Sequence, residues 1–231
     1  MKLGILQCGH APDPVAQKHG DFDHMFAQLL APYGYSYEVW NVVDMQFPDG
    51  PEAADAWLLT GSKHGAYEDH PFIPPLEALI RDIQASGRRM LGICFGHQII
   101  AKALGGTVEK FKGGWSIGRT AYDIPALGHV YLNAWHQDQV TTLPEGAEVV
   151  GQNDFCANAA LVYGDSILTI QPHPELSPTI ISDYLAARAN DPAYPQDLIA
   201  AALEENAHPT DDARFAGLMA GFLDQGREAL T

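Results

Sequence analysis

The 231-residue chain carries a formal charge of −16 at pH 7, with 46% hydrophobic and 18% charged residues. That composition is too apolar for a disordered chain, and the acidic excess excludes the basic footprint that nucleic acid or an anionic membrane surface requires. The length fits one large domain, or a domain with an added segment. Cys8, Cys94 and Cys156 are the only cysteines, odd in number and far apart. They suit neither a disulfide framework nor a CxxC metal site, and they point to a reducing compartment. The opening MKLGILQCGH has too short an apolar run for a secretion signal, and no stretch approaches the length of a membrane span. The expected location is the cytoplasm.

In chain order, residues 3–8 read as a buried strand, 21–30 as a helix and 36–43 as a second strand. Residues 56–60 give a third strand that ends in Gly61-Ser62. Residues 75–86 form a helix, 89–93 a further strand and 97–104 a further helix. Strand and helix alternating at this spacing predict right-handed βαβ units. The fold class is therefore α/β, a mostly parallel central sheet with helices on both faces. Between 106 and 170 short β-type runs, among them 147–152, 159–163 and 166–170, are broken by Gly, Pro and Asn. They predict a small antiparallel extension followed by a return to the main sheet. Residues 177–231 read as mostly helical, with breaks at Asp191-Pro192 and His208-Pro209. No internal repeat is present. The expected organisation is one domain over residues 1–190, with a helical extension over 191–231 packed on it.

In open α/β sheets ligands bind outside the carboxyl ends of the strands, where Cys8, Gly61-Ser62 and Cys94 all fall. The stretch GICFGHQ, residues 92–98, places Cys94 at a strand-to-helix corner. Gly92 and Gly96 flank it and let neighbouring chain pass without a Cβ clash. The helix start presents free N–H groups and a positive dipole end, which favour a thiolate and can hold an oxyanion. A nucleophile so placed needs a base, and the base needs an orienting group. The segment 171-QPHPE-175 supplies both in His173 and Glu175, beyond another strand and stiffened by Pro172 and Pro174.

GICFGHQ resembles the nucleophile motif of class I (triad-type) glutamine amidotransferases, and HPE resembles their His-Glu pair at the expected distance downstream. 58-LLTGS-62 is similar to the oxyanion loop, 103-ALGG-106 to the close of the nucleophile helix, and 135-WHQDQV-140 to a His-x-Asp-x-Val segment of the GMP-synthase branch. The resemblance covers roughly residues 1–185 and is greatest to the stand-alone GMP-synthase-like members. It implies a flavodoxin-like amidotransferase fold with Cys94 as nucleophile, His173 as general base and acid, and Glu175 as its orienting carboxylate. The N–H of Phe95 and one from Gly61 or Ser62 would form the oxyanion hole. Gln98 and the backbone at Gln137 and Asp138 would hold the amino-acid head of the substrate. Two departures stand out: Thr60-Gly61-Ser62-Lys63 replaces the usual Ser-Gly-Gly-Pro, and Pro172 replaces an aromatic residue.

The implied substrate is glutamine or another γ-glutamyl compound, with no cofactor and no metal. A synthetase or ligase partner would take up the ammonia. Two alternatives carry different expectations: a γ-glutamyl peptidase that needs no partner, and a non-catalytic glutamine-binding regulatory module. The DJ-1 type of hydrolase or chaperone places a histidine directly after the elbow cysteine, where this chain has Phe95. Cys8 and Cys156 read as core residues and His97 as a packing residue. Cys94 and His97 lack the further pair that would complete a four-ligand zinc site. His136 and Asp138 either stabilise each other or serve the substrate. Lys63, His64 and Trp115 are candidates for a pocket lining.

Overall fold

The structure is a computed structural model that describes all residues, 1–231. Its strands β1 (Lys2–Leu6), β2 (Ser36–Trp40), β3 (Ala56–Leu59) and β4 (Arg89–Ile93) are joined by helices α1 (Asp13–His19), α2 (Phe22–Leu29) and α3 (Ile73–Ser86). After β4 come α4 (Phe95–Ala103), β5 (Thr107–Lys110), β6 (Ser116–Ile124), β7 (Gly128–His136) and β8 (Asp138–Thr142). The chain then returns through β9 (Ala147–Gly151), β10 (Ala160–Tyr163) and β11 (Ile167–Ile170), and ends in α5 (Pro178–Arg188), α6 (Gln196–Glu205) and α7 (Asp212–Gln225).

The main sheet has seven strands in the order β2-β1-β3-β4-β11-β10-β9. Pairing is parallel from β2 to β11 and antiparallel at β10 and β9. This is the mostly parallel α/β sheet that the alternation of elements predicts. The antiparallel extension consists of two separate pairs, β5 with β8 and β6 with β7.

Strands buried on both faces cannot alternate apolar with polar, and β3 accordingly reads Ala-Trp-Leu-Leu with every residue buried. Its side chains divide by parity between two cores. Ala56 and Leu58 join Leu3, Ile5, Leu91 and Ile93 in one cluster, which α2 and α7 cover with Phe26, Phe215, Met219 and Phe222. Trp57 and Leu59 join Leu6 and Met90 in the other, which α3 and α4 cover with Leu76, Ile80, Ile99 and Ile100. A third cluster packs α1, α5 and α6 against Trp135 of β7.

Several boundaries differ from the periodicity reading for local reasons. Helix α2 starts where Asp21 caps it, its carboxylate accepting from the N–H of Phe22. Helix α3 begins two residues early because Pro74 and Pro75 sit in its first turn, where no N–H is needed. Helix α4 begins at Phe95, immediately after the cysteine. Helix α1 is an added element of 7 residues, about two turns, whose sequence buries only Val15.

Candidate active site

The sheet order brings two distant motifs side by side. Strand β11 pairs in parallel with β4, in a register that sets Ile170 opposite Ile93. Residues 171–175 therefore leave the sheet at the same carboxyl edge as Cys94. The N–H of Cys94 donates to the carbonyl of Ile170 at 2.8 Å, and the Cys94 carbonyl accepts from Gln98 N–H at 3.0 Å. These two bonds hold Cys94 at φ 52°, ψ −103°, a conformation a side-chain-bearing residue rarely adopts and one that costs on the order of 1–3 kcal/mol. Gly92 and Gly96 meet the packing demand of this corner. A Cβ on Gly92 would stand 2.6 Å from Ile100 Cδ1, and one on Gly96 would collide with the Leu59 carbonyl oxygen.

His173 is fixed from three directions. Its N–H donates to the Asn133 carbonyl of β7 at 2.8 Å. The Asn133 amide donates in turn to the Leu176 carbonyl at 2.6 Å, so the hairpin clamps both ends of the loop. The imidazole Nδ1 meets Glu175 Oε1 at 2.6 Å, with both side chains almost fully buried. Nε2 has no nitrogen or oxygen partner. Burial alone would push the imidazole pKa down; the negative charges of Glu175 and Cys94 and hydrogen bonds to both outweigh it and hold His173 well above the ordinary histidine value.

The loop after β3 closes the third side. A Cβ on Gly61 would lie 3.0 Å from His173 Cε1 and 3.8 Å from Cys94 Cβ, which places Gly61 against both. The N–H groups of Gly61 and Ser62 donate to no protein acceptor. The N–H of Phe95, at the first position of α4, has no intrahelical acceptor by geometry. Cys94 and Ser62 open on a cavity of about 180 Å³ that Gln98, Gln137 and Asp138 also line, and Gly61 packs against Cys94 and His173 beside it. The arrangement suits attack by sulfur on an acyl carbon with an oxyanion held by backbone donors.

The sequence profile described as glutamine amidotransferase class-I matches residues 19–189. The chain belongs to the class I glutamine amidotransferase family. It is accordingly an amidohydrolase acting on γ-glutamyl amides. Gamma-glutamyl peptidase 4 of Arabidopsis thaliana is 30% identical over 184 residues, covering 72% of this chain and 72% of that protein. A glutamine-hydrolyzing GMP synthase of Pyrobaculum aerophilum is 30% identical over 206 residues, covering 80% of this chain and 38% of the synthase. The crystal structure of a glutamine amidotransferase from Thermotoga maritima superposes with a TM-score of 0.77 at 22% identity, covering 99% and 97% of the two chains. That likeness agrees with the fold described above.

Within this amidotransferase the expected head-group residues sit at the cavity in unequal states. Both amide hydrogens of Gln98 are engaged, one by the Asp138 carbonyl at 3.0 Å and one by Gln171 Oε1 at 3.1 Å. Gln98 therefore braces the Asp138 backbone and has only its oxygen left for a ligand. Asp138 accepts from the Tyr67 hydroxyl at 3.2 Å, and Gln137 donates to the Phe111 carbonyl at 3.3 Å. His136 points Nδ1 at the Asp138 carbonyl at 3.3 Å and not at its carboxylate. Burial holds its pKa down at about 3, and the nearby His173 pushes the same way, so it is neutral at pH 7. His97 is a core residue on Thr169 Oγ1 at 2.7 Å, and Cys8 is fully buried. Burial pushes the Cys156 thiol up to about 12.

Lys63, His64 and Trp115 do line the cavity. The wall also contains Trp135, which opens the 135-WHQDQV-140 segment, and Tyr184 and Tyr194, which the motifs do not mark. Trp135 meets Tyr184 at 4.8 Å and Tyr194 at 5.2 Å between ring centroids, and Trp115 meets Tyr194 at 5.2 Å. Their only sequence signal is the position of Trp135 beside His136.

Asp212, at the start of α7, is a second residue the motifs do not mark. Its Oδ2 accepts from Thr210 at 2.8 Å, while Oδ1 is buried and unpaired, as is Oε2 of Glu175. Burial pushes its carboxyl up to about 7, the Thr210 bond opposes this, and the charge of Glu175 adds to it. A carboxyl whose folded pKa lies above its unfolded value favours folding below the unfolded value, and that contribution is lost as pH rises through about 7. Asp212→Asn keeps the acceptor for Thr210 and removes the charge. Thermal melts at pH 8 should show the variant more stable by about 1–3 kcal/mol, a few degrees in Tm, with the gap closing toward pH 5. A gap that widens on acidification would contradict this placement.

Proposed function

We propose that Cys94, His173 and Glu175 form a catalytic triad that hydrolyses a γ-glutamyl amide through a thioester. The buried His173–Glu175 pair and the unpaired Gly61 and Ser62 donors, with Gly61 packed against both His173 and Cys94, support this reading most directly. His173 Nε2 holds the Cys94 proton as the sulfur attacks the γ-carbonyl carbon. The oxyanion forms against the N–H of Phe95 and that of Gly61 or Ser62. The C–N bond then breaks as His173 returns the proton to the leaving amine. His173 next takes a proton from water, hydroxide attacks the thioester, and glutamate leaves with the thiol restored. Glu175 holds Nδ1 and stabilises the imidazolium. Gln98, through its oxygen and its hold on Asp138, and the backbone of Gln137 and Asp138 position the amino-acid head.

Glutamine is the first substrate, with ammonia as product and a synthetase or ligase as its consumer. The family match ends at residue 189, in keeping with an amidotransferase domain over 1–190 and a helical extension over 191–231. The three free cysteines fit the cytoplasm. No helix is long and apolar enough to cross a membrane.

A second reading, hydrolysis of γ-glutamyl peptides or conjugates without a partner, is favoured by the aromatic wall of Trp115, Trp135, Tyr184 and Tyr194. Such a surface offers packing to a leaving group larger than ammonia. Assay of the purified chain on glutamine, γ-glutamyl dipeptides and glutathione, following ammonia and free glutamate, separates the readings. Measurable glutaminase activity is the expected result. Peptide hydrolysis much faster than glutamine hydrolysis would replace it with the peptidase reading. No turnover and no thioester with any substrate would leave the binding module.

A further inference from the structure

The loop between β3 and α3 carries a cluster that the amide chemistry does not use. His64, Glu68 and His70 each offer one ligand atom, and the three atoms lie within 4.8 Å of one another. Glu68 Oε2 is 2.8 Å from His70 Nε2 and 3.8 Å from His64 Nδ1. The two imidazole rings stand 4.0 Å apart between centroids. Zinc bonded to nitrogen and oxygen at about 2.0–2.2 Å in a tetrahedron sets its ligand atoms about 3.3 Å apart. Small side-chain rotations separate that spacing from the one observed.

We propose that His64, Glu68 and His70 form a binding site for a divalent transition metal of the zinc class, at the mouth of the Cys94 cavity. Two imidazoles and one carboxylate are the donor types that zinc and cobalt prefer over magnesium or calcium. The loop is braced as ligand loops are. The N–H of His64 donates to Ser62 Oγ at 3.2 Å, and that of Glu68 donates to the Gly65 carbonyl at 3.0 Å. His70 stacks on Phe72, which packs against Phe95 beside the nucleophile.

Three protein ligands leave a coordination position open. His64 and Glu68 both line the cavity with Cys94, so the site sits at the entrance, one residue from the oxyanion loop. The Cys94 and His97 pair carries no such set; the ligand spacing is His64-x3-Glu68-x-His70.

The test is a binding measurement independent of turnover, so its failure and the failure of the amide-hydrolysis reading are distinguishable. Cys94→Ala removes the competing thiol that lines the same cavity. Dialysed against micromolar Zn2+, this variant should retain one equivalent by elemental mass spectrometry, and adding His64→Ala and His70→Ala should abolish it. With Co2+ it should show visible d–d bands free of thiolate charge transfer, and Glu68→Gln should weaken Co2+ binding by about tenfold or more. Circular dichroism of the variants checks their fold. Equal zinc retention with and without the two histidines, or no retention by the Cys94→Ala variant, would overturn the site.

Discussion

Replacing Cys94 by alanine should lower turnover of a γ-glutamyl amide by about 10⁴-fold or more while leaving the fold intact. The side chain is almost fully buried, yet the change removes one sulfur and little volume, and its contact to the backbone is only a long 4.0 Å approach of Sγ to the Trp135 carbonyl. The two bonds that hold the corner come from the Cys94 N–H and carbonyl. Removing His173 should cost nearly as much, because the same ring moves the proton in both half-reactions. Glu175→Gln should cost less by roughly one to two orders of magnitude, since it orients and stabilises without transferring the proton. Steady-state rates of the three variants check the order. Equal losses at Glu175 and Cys94 would give Glu175 another task.

Two glycines separate activity from stability. Alanine at a helical glycine gains at most about 1 kcal/mol from propensity, and Gly96 sits in the first turn of α4. At Gly96 the new methyl would collide with the Leu59 carbonyl oxygen of β3, and overpacking against backbone costs typically 1–3 kcal/mol and sometimes more. The clash outweighs the gain, so Gly96→Ala should lower Tm by several degrees and lose activity, because the elbow and the Gly61 loop share the bond from Gly96 N–H to Thr60 carbonyl, 3.1 Å long. At Gly61 the methyl would press on His173 Cε1 at 3.0 Å. A 1 Å misplacement of a catalytic group costs about 10²-fold in rate, so a shift of a few tenths at the base should lower turnover several-fold, with Tm nearly unchanged. Paired melting curves and kinetics check both. A fully active Gly61→Ala enzyme would mean that the loop does not lie against the base.

What the sequence makes legible follows from which forces act locally. Strands β1, β3 and β4 are buried on both faces, so they appear as unbroken apolar runs, and the alternation with helices fixes a parallel sheet. Cys94 and His173 are readable because each sits beyond a strand end in a segment that glycine or proline has shaped. Their meeting needs the pairing of β4 with β11, which is a tertiary fact that no local pattern states.

The hairpin β6–β7 is hard to read because its polar residues are satisfied by distant chain. Arg119 lies 3.5 Å over the Tyr131 ring and donates to the Pro209 carbonyl at 2.9 Å, so SIGRTAYDI resembles a loop until the C-terminal segment is in place. Asn133, Asp212 and the Tyr184–Tyr194 wall act on the site through tertiary contacts alone. No local pattern marks them. The same holds for the tail as a whole: Phe215, Met219 and Phe222 of α7 lie in the core beneath the sheet, while Tyr194 lines the cavity.

The claim that carries the rest is a covalent γ-glutamyl thioester on Cys94. Mixing the purified enzyme with a γ-glutamyl substrate, quenching in acid within the first turnovers and mapping the digest by mass spectrometry tests it directly. The account predicts one added glutamyl group, confined to the peptide that contains Cys94 and absent from the peptides of Cys8 and Cys156. Substrate turnover that proceeds in the Cys94→Ala enzyme, or a glutamyl adduct on any other residue, would contradict it.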